Sequence, residues 1–215
     1  MEAVLTKVFG PRVSPDLMAE RRLRFLLPTA SLGLAAVLLV ASIFLPYWRL
    51  TLQAPQYPGG LRVEAYLDRL DGDVREIDGL NHIGMRPLGE AAKLERSLSI
   101  AALMVIALLV VAAIYIHNRW AALLTLPALL FPAVFLADMR YWLQHFGTHL
   151  DPDAPLSSSM QPFVPPVLGR GVVGQFATVA VPGPGLVAAT LASLAILIGL
   201  WLHRRAYKPL VEARG

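Results

Sequence analysis

The chain has 215 residues, of which 56% are hydrophobic and 16% charged, with a mean hydropathy of +0.56 and a net charge of +4. Soluble domains average roughly 45–50% apolar and about 25% charged residues, so this chain carries more apolar surface than a small globule can bury, and its bulk is not disordered. The absence of cysteine excludes a disulfide scaffold, a thiolate metal site, a cysteine nucleophile and a c-type haem attachment.

In chain order, residues 1–24 form a basic N-terminal segment with Lys7, Arg12, Arg21, Arg22 and Arg24. Residues 25–47 form the first apolar run. It exceeds the roughly 7–15 residues of a leader's apolar stretch and ends in Pro46-Tyr47-Trp48 rather than at a small-residue cleavage site, so a retained helix is expected. Further apolar runs follow at 98–116, 121–136 and 185–202. A helix crosses a bilayer in about 20 residues, and none of the four runs has a charged residue at its centre. The third holds Pro127 and Pro132, tolerated in lipid where neighbouring helices shelter the freed carbonyls.

Orientation follows from Lys and Arg near the helix ends. The N-terminal segment, the turn at 117–120 and the tail at 203–215 lie on one side of an even number of spans, and hold Lys7, Arg12, Arg21, Arg22, Arg24, Arg119, Arg204, Arg205, Lys208 and Arg214. That side is expected to be cytoplasmic, with both termini inside a bacterial inner membrane and the loops 48–97 and 137–184 outside. Tyr47, Trp48, Tyr141 and Trp142 fall at the expected outer interface and Tyr115, Trp120 and Trp201 at the inner one, as amphipathic rings prefer. The fold class expected is an all-α membrane protein, a four-helix transmembrane bundle capped by a small mixed α/β extracytoplasmic domain. Its partner is the lipid bilayer, with no nucleic acid.

In the first loop, Trp48–Gln53 and Leu61–Leu67 alternate and read as two strands around a Pro/Gly turn. Val74–Asp78 reads as a third short strand, and Pro87 opens a helix from Leu88 to Arg96. In the second loop the stretch from Pro155 to Pro184 is rich in Pro, Gly and Ser, and an irregular meander is expected there. The spans lack the intramembrane carboxylates, lysines and histidines that mark ion paths, which argues against a pump or channel.

His82, His145 and His149 lie in these loops, with Met85, Met139 and Met160. Imidazole with thioether is a ligand pair for Cu(I), the soft ion. His82 and Met85 stand three apart around Gly84; His145 and His149 stand four apart, one face of a helical turn, although Gly147 is expected to interrupt such a helix. The candidate metal ligands are therefore His82, Met85, His145 and His149. A lone loop histidine is more often a hydrogen-bonding residue and a lone methionine a filler of apolar gaps, and spacing leaves both readings open. His117 and His203 are read as interfacial residues without a role. Ser157–Ser159 lack the nucleophile elbow of a hydrolase.

The stretches Ala54-Pro55-Gln56-Tyr57-Pro58, Glu76 to Leu88, His149 to Leu156 and Pro162 to Gly169 resemble a poorly characterised family of bacterial four-span membrane proteins. Members of that family are encoded with the maturation genes of nitrous oxide reductase, including its copper chaperone. The family pattern has an aromatic residue between the positions of His82 and Ile83 that this chain lacks. The resemblance implies a setting in copper supply or assembly, with Cu(I) as ligand and a periplasmic copper chaperone or copper enzyme as partner. The function expected is that of a non-enzymatic accessory protein. The alternatives are a metal-free scaffold whose Pro-rich loop grips a partner, and a membrane-embedded enzyme using Asp138, Arg140 and His145.

Overall fold

A computed structural model describes residues 15–80, 85–154, 162–173 and 176–212. After a short helix α1 (Pro15–Glu20), the elements run α2 (Arg22–Ser42), β1 (Trp48–Ala54), β2 (Tyr57–Ala65), β3 (Leu70–Gly72), α3 (Val74–Gly79), a 3₁₀ turn (Leu88–Glu90), α4 (Lys93–Ile114), α5 (Trp120–Thr148), β4 (Gly169–Val173), β5 (Phe176–Pro182) and α6 (Pro184–Glu212). Among the described residues, the four helices α2, α4, α5 and α6 are long and apolar enough to cross a membrane. The chain divides into a helical unit (1–41, 101–132 and 188–215) and a sheet unit (42–100 and 133–187).

In the helical unit small residues are buried beside the large Leu32, Leu39, Leu103, Val110 and Ile196. Ala35 and Ala36 on α2, Ala128 on α5 and Ala189, Ala192 and Ala195 on α6 are all buried. A Cβ added at Gly199 would come within 3.0 Å of the Leu32 side chain, which marks how closely α2 and α6 approach. Ser31 donates to the Ala195 carbonyl at 2.8 Å and so ties α2 to α6, while the single Ser193 hydroxyl proton is shared between the Ala189 carbonyl of its own helix at 3.2 Å and the Ala128 carbonyl at 3.3 Å. Small residues and interhelical hydrogen bonds of this kind are how helices associate where no water is available to drive them together. The large aliphatics Leu23, Val37, Leu108, Leu126 and Leu197 point outward, as lipid-facing residues would.

The sheet unit holds five antiparallel strands in the order β3-β2-β1-β5-β4. The first hairpin forms from the two expected strands, with Trp48 opposite Ala65 and Leu52 opposite Leu61, but its second strand starts earlier, at Tyr57 within the expected Pro/Gly turn, and ends at Ala65 rather than Leu67. The central pairing joins distant parts of the chain: β1 lies beside β5 with Trp48 opposite Pro182 and Gln53 opposite Ala177. The two loops thus fold into one sheet. Its core gathers Trp48, Ala65 and Ala180, with Leu50, Leu70, Phe135, Met139 and Leu143 packed against them. The Trp48 indole N–H donates to the Val167 carbonyl.

The corner where β5 becomes α6 is tight. Gly183 N–H donates to the Tyr47 carbonyl at 2.8 Å and Gly185 N–H to the Pro46 carbonyl at 2.9 Å. A Cβ at Gly183 would run into the Pro46 backbone. Tyr47 itself is wholly buried, its hydroxyl 2.6 Å from that of Ser42 and its ring 5.0 Å from Phe135. Burial pushes its phenol up to about 12, against the opposing pull of the Ser42 hydrogen bond.

Three expectations change. Val74–Asp78 is the helix α3 rather than a strand, and the third strand lies just before it at Leu70–Gly72. Val74 and Ile77 stand three apart, so a five-residue stretch fits a helical turn as well as a strand. Gly72 takes φ +92 where any Cβ would meet the Arg62 carbonyl, and Asp73 accepts a hydrogen bond from Arg62 N–H at 2.8 Å; together they turn the chain. The Pro/Gly-rich second loop is not irregular throughout, since β4 and β5 form within it. The helix expected over 88–96 is split into the 3₁₀ turn and α4 by Ala92 at φ 50, and the Glu90–Lys93 pair forms across that break at 3.8 Å.

Candidate functional site

The candidate ligands on the second loop sit at the end of α5. This helix runs on through Gly147 to Thr148 instead of breaking at the glycine. Gly147 serves another purpose: a Cβ there would collide with the Phe163 carbonyl, while Phe163 N–H donates to the Gly147 carbonyl at 3.0 Å. The glycine lets the segment from Pro162 lie directly on the helix end. With 29 residues at about 1.5 Å each, α5 is long enough to outrun a hydrocarbon layer of roughly 30 Å.

Because α5 persists, His145 and His149 share one face. Their ring centroids are 4.3 Å apart. His149 N–H donates to the His145 carbonyl at 3.0 Å, which continues the helical pattern by one residue. The His149 Nδ1 also reaches the His145 carbonyl at 3.0 Å, and the Thr148 hydroxyl at 3.0 Å. A carbonyl accepts only from an N–H, so these partners put a proton on Nδ1, and in the neutral ring Nε2 is then the nitrogen that can ligate. A backbone carbonyl that fixes the tautomer of a histidine is the usual support of a metal ligand. His145 is half-buried within a ring of aromatics: Tyr141 at 5.9 Å, Trp142 at 5.8 Å and Phe146 at 6.2 Å. His149 is exposed.

The first loop's candidates fare differently. His82 lies outside the described residues, as do Ser157–Ser159 and Met160. Met85 is half-buried at the start of the segment leading to the 3₁₀ turn, which Asp78 fastens by accepting from Leu88 N–H at 3.0 Å. Met139 belongs to the apolar core under the sheet and acts as packing. Among the described residues no three of His, Cys, Asp and Glu converge as a metal-holding group, so the pair His145–His149 needs donors of another kind to complete a site. Of the residues suggested for an embedded enzyme, Asp138 is half-buried and Arg140 is exposed.

A second pair of histidines, His117 and His203, meets in the helical unit with ring centroids 5.6 Å apart. No sequence spacing points to it, because the two residues belong to different helical connections and only the packing of α6 brings them together. No family model, curated protein or solved structure matches this chain.

Proposed function

We propose that this chain is a membrane-spanning accessory protein that supplies Cu(I) to a respiratory copper enzyme or helps to assemble it. The loop resemblance favours nitrous oxide reductase as that enzyme. The sheet unit would stand on the outer face of a bacterial inner membrane, with both termini cytoplasmic, in keeping with the arginine-rich ends of the chain. The observation that carries the reading is the close approach of the His145 and His149 rings on one face at the end of α5. Imidazole nitrogens bind metal at about 2.0 Å, and two rings this close can share one ion. Cu(I) suits imidazole and is selected by thioether, which makes Met85 and His82 the donors to add from the first loop.

The experiment is a competition titration of Cu(I) against a coloured chelator, with the full chain in detergent. One tightly held equivalent is expected, lost in His145→Ala/His149→Ala and weakened in His82→Ala/Met85→Ala. Equal stoichiometry in the wild type and the first double variant removes the pair from any copper site. A scaffold remains the second reading, favoured by the sheet's outer strand β4, which among the described residues has a neighbouring strand on one side only and exposes Val172. It predicts a stoichiometric partner whose binding neither double variant changes.

A further inference from the structure

The basic end of the helical unit holds an arrangement that orientation by charge does not explain. Arg21, Arg22 and Arg24 lie where the chain enters α2, Arg119 sits in the turn between α4 and α5, and Arg204 and Arg205 lie in the last turns of α6. Ring contacts draw these three stretches to one end: Tyr207 on α6 is 5.5 Å from Phe25 on α2 and 4.0 Å from His117 in the turn. Among the described residues none of the six arginines forms an ion pair, although Asp16 and Glu20 lie in the adjoining α1. A positive-side bias asks only that basic residues sit near the helix ends. It does not ask that two of them be fastened together.

Arg24 and Arg205 are fastened in this way. Pro209 lies inside α6, and having no N–H it leaves the Arg205 carbonyl without the donor that a helix supplies four residues on. Arg24 takes that place, its Nη2 donating to the Arg205 carbonyl at 2.7 Å. Two like charges on separate helices thus meet at one turn of α6. A single bond of this kind leaves the Arg24 fork with further N–H donors. Arg205 lays its guanidinium over the Trp201 ring at 4.2 Å, and Arg119 stands over Trp120 at 5.8 Å. Stacking holds a guanidinium in place without neutralising it. Both tryptophans are exposed, as rings at headgroup level are. One turn further into the spans, Leu27 on α2 and Leu197 and Ile198 on α6 are exposed aliphatics.

We infer that the seam between the start of α2 and the last turns of α6 binds an anionic phospholipid, whose phosphodiester is held by Arg24 and Arg205 and whose acyl chains lie on the outward aliphatics. Guanidinium groups meet phosphate oxygens through paired N–H donors, which makes arginine the fitting side chain for such a head. The six unpaired positive charges supply the attraction, and basic pockets between helix ends are where acidic lipids seat. A free phosphate would use the arginine forks but gain nothing from Leu27, Leu197 and Ile198. The site rests on the membrane-spanning part of the proposed function and not on copper.

The test uses the full chain, delipidated in neutral detergent and given phosphatidylglycerol or phosphatidylcholine with the same acyl chains, with bound lipid counted by native mass spectrometry. One retained phosphatidylglycerol is expected, in clear preference to phosphatidylcholine. Arg24→Gln and Arg205→Gln should each lower its affinity about fivefold, the effect of one basic side chain at a membrane surface. Arg205→Gln changes an exposed side chain and leaves the backbone carbonyl to Arg24, so a folding failure of Arg24→Gln does not decide the matter. Arg49→Gln in the sheet unit, where Arg49 pairs with Glu64, should change nothing. Equal retention of the two lipids, or unchanged retention in Arg205→Gln, overturns the site. Displacement of the lipid by millimolar inorganic phosphate overturns the lipid in favour of a free anion. Release of the chain from vesicles by alkaline carbonate would overturn the membrane reading itself, whereas a firmly inserted chain that keeps no phosphatidylglycerol overturns the lipid site alone.

Discussion

The helical unit is closed by alanine, glycine and serine, the sheet unit by tryptophan, tyrosine and a backbone ladder. In the first, Ala35, Ala128, Ala189 and Ala192 are fully buried beside Leu32, Leu39, Leu103, Val110 and Ile196, while Leu23, Val37, Leu108, Leu126 and Leu197 point outward. In the second, the large rings of Tyr47 and Trp48 are inside and the polar Arg49, Arg62 and Gln53 are outside. Such a difference is what lipid around the first unit and water around the second would produce: lipid rewards close backbone approach and leaves leucines free to face outward, whereas water favours hiding them. The same chain therefore obeys two packing rules, and the change falls near Ser42, where α2 gives way to Tyr47 and β1.

That contrast can be broken most severely at Trp48. Replacing it with alanine opens a cavity under the sheet and should destabilise the sheet unit by about 4 kcal/mol. Hydrogen exchange should then lose protection over 48–65 and 176–182 while 22–41 stays protected. Equal loss in both stretches would mean that the two units do not open separately.

Alkaline pH should act next most strongly, through Tyr47. Its folded pKa of about 12 lies above the ordinary 10.0, so the protonated phenol favours the fold. That contribution is complete below pH 10 and disappears as pH rises through 10 to 12, a loss of about 3 kcal/mol over two pH units. Absorbance titration should show one tyrosine ionising late, and Tyr47→Phe should remove that component.

The helical unit should answer to smaller changes. Gly199→Ala forces Leu32 to shift and should cost about 1 kcal/mol in detergent unfolding, and Gly199→Leu about 3 kcal/mol, in line with overpacking elsewhere. A stabilising effect of either would mean that α2 and α6 are not in close contact in lipid. Ser31→Ala removes one interhelical hydrogen bond and should lower stability by only ~0.6 kcal/mol, the usual value in membrane bundles.

Hydropathy made the four long helices legible, because an apolar run of such length has few other fates. The first hairpin was legible as well, since Trp48–Gln53 and Leu61–Ala65 alternate on both sides of a turn. The strand pair β4–β5 was not, because Pro165, Pro166, Gly169 and Gly171 masked a stretch from Phe176 to Pro182 that does alternate. There, the partner strand β1 supplies the order that local propensity withholds. The spacing of His145 and His149 was visible, yet Gly147 suggested a helix end; its lack of a side chain instead admits Phe163. The pair of His117 and His203 could not be read from spacing at all, since it exists only through tertiary contact.

The β1–β5 seam also sets a timetable. Trp48 finds its partner only when Pro182 has been made, so at roughly 10 residues per second β1 waits about 13 seconds on the ribosome with one edge bare. Until then β2 is its sole neighbour, and an unpaired strand edge is a template for the wrong chain. The newborn protein is thus most prone to mispairing between the synthesis of β1 and that of β5, and a translation pause would matter most in that interval.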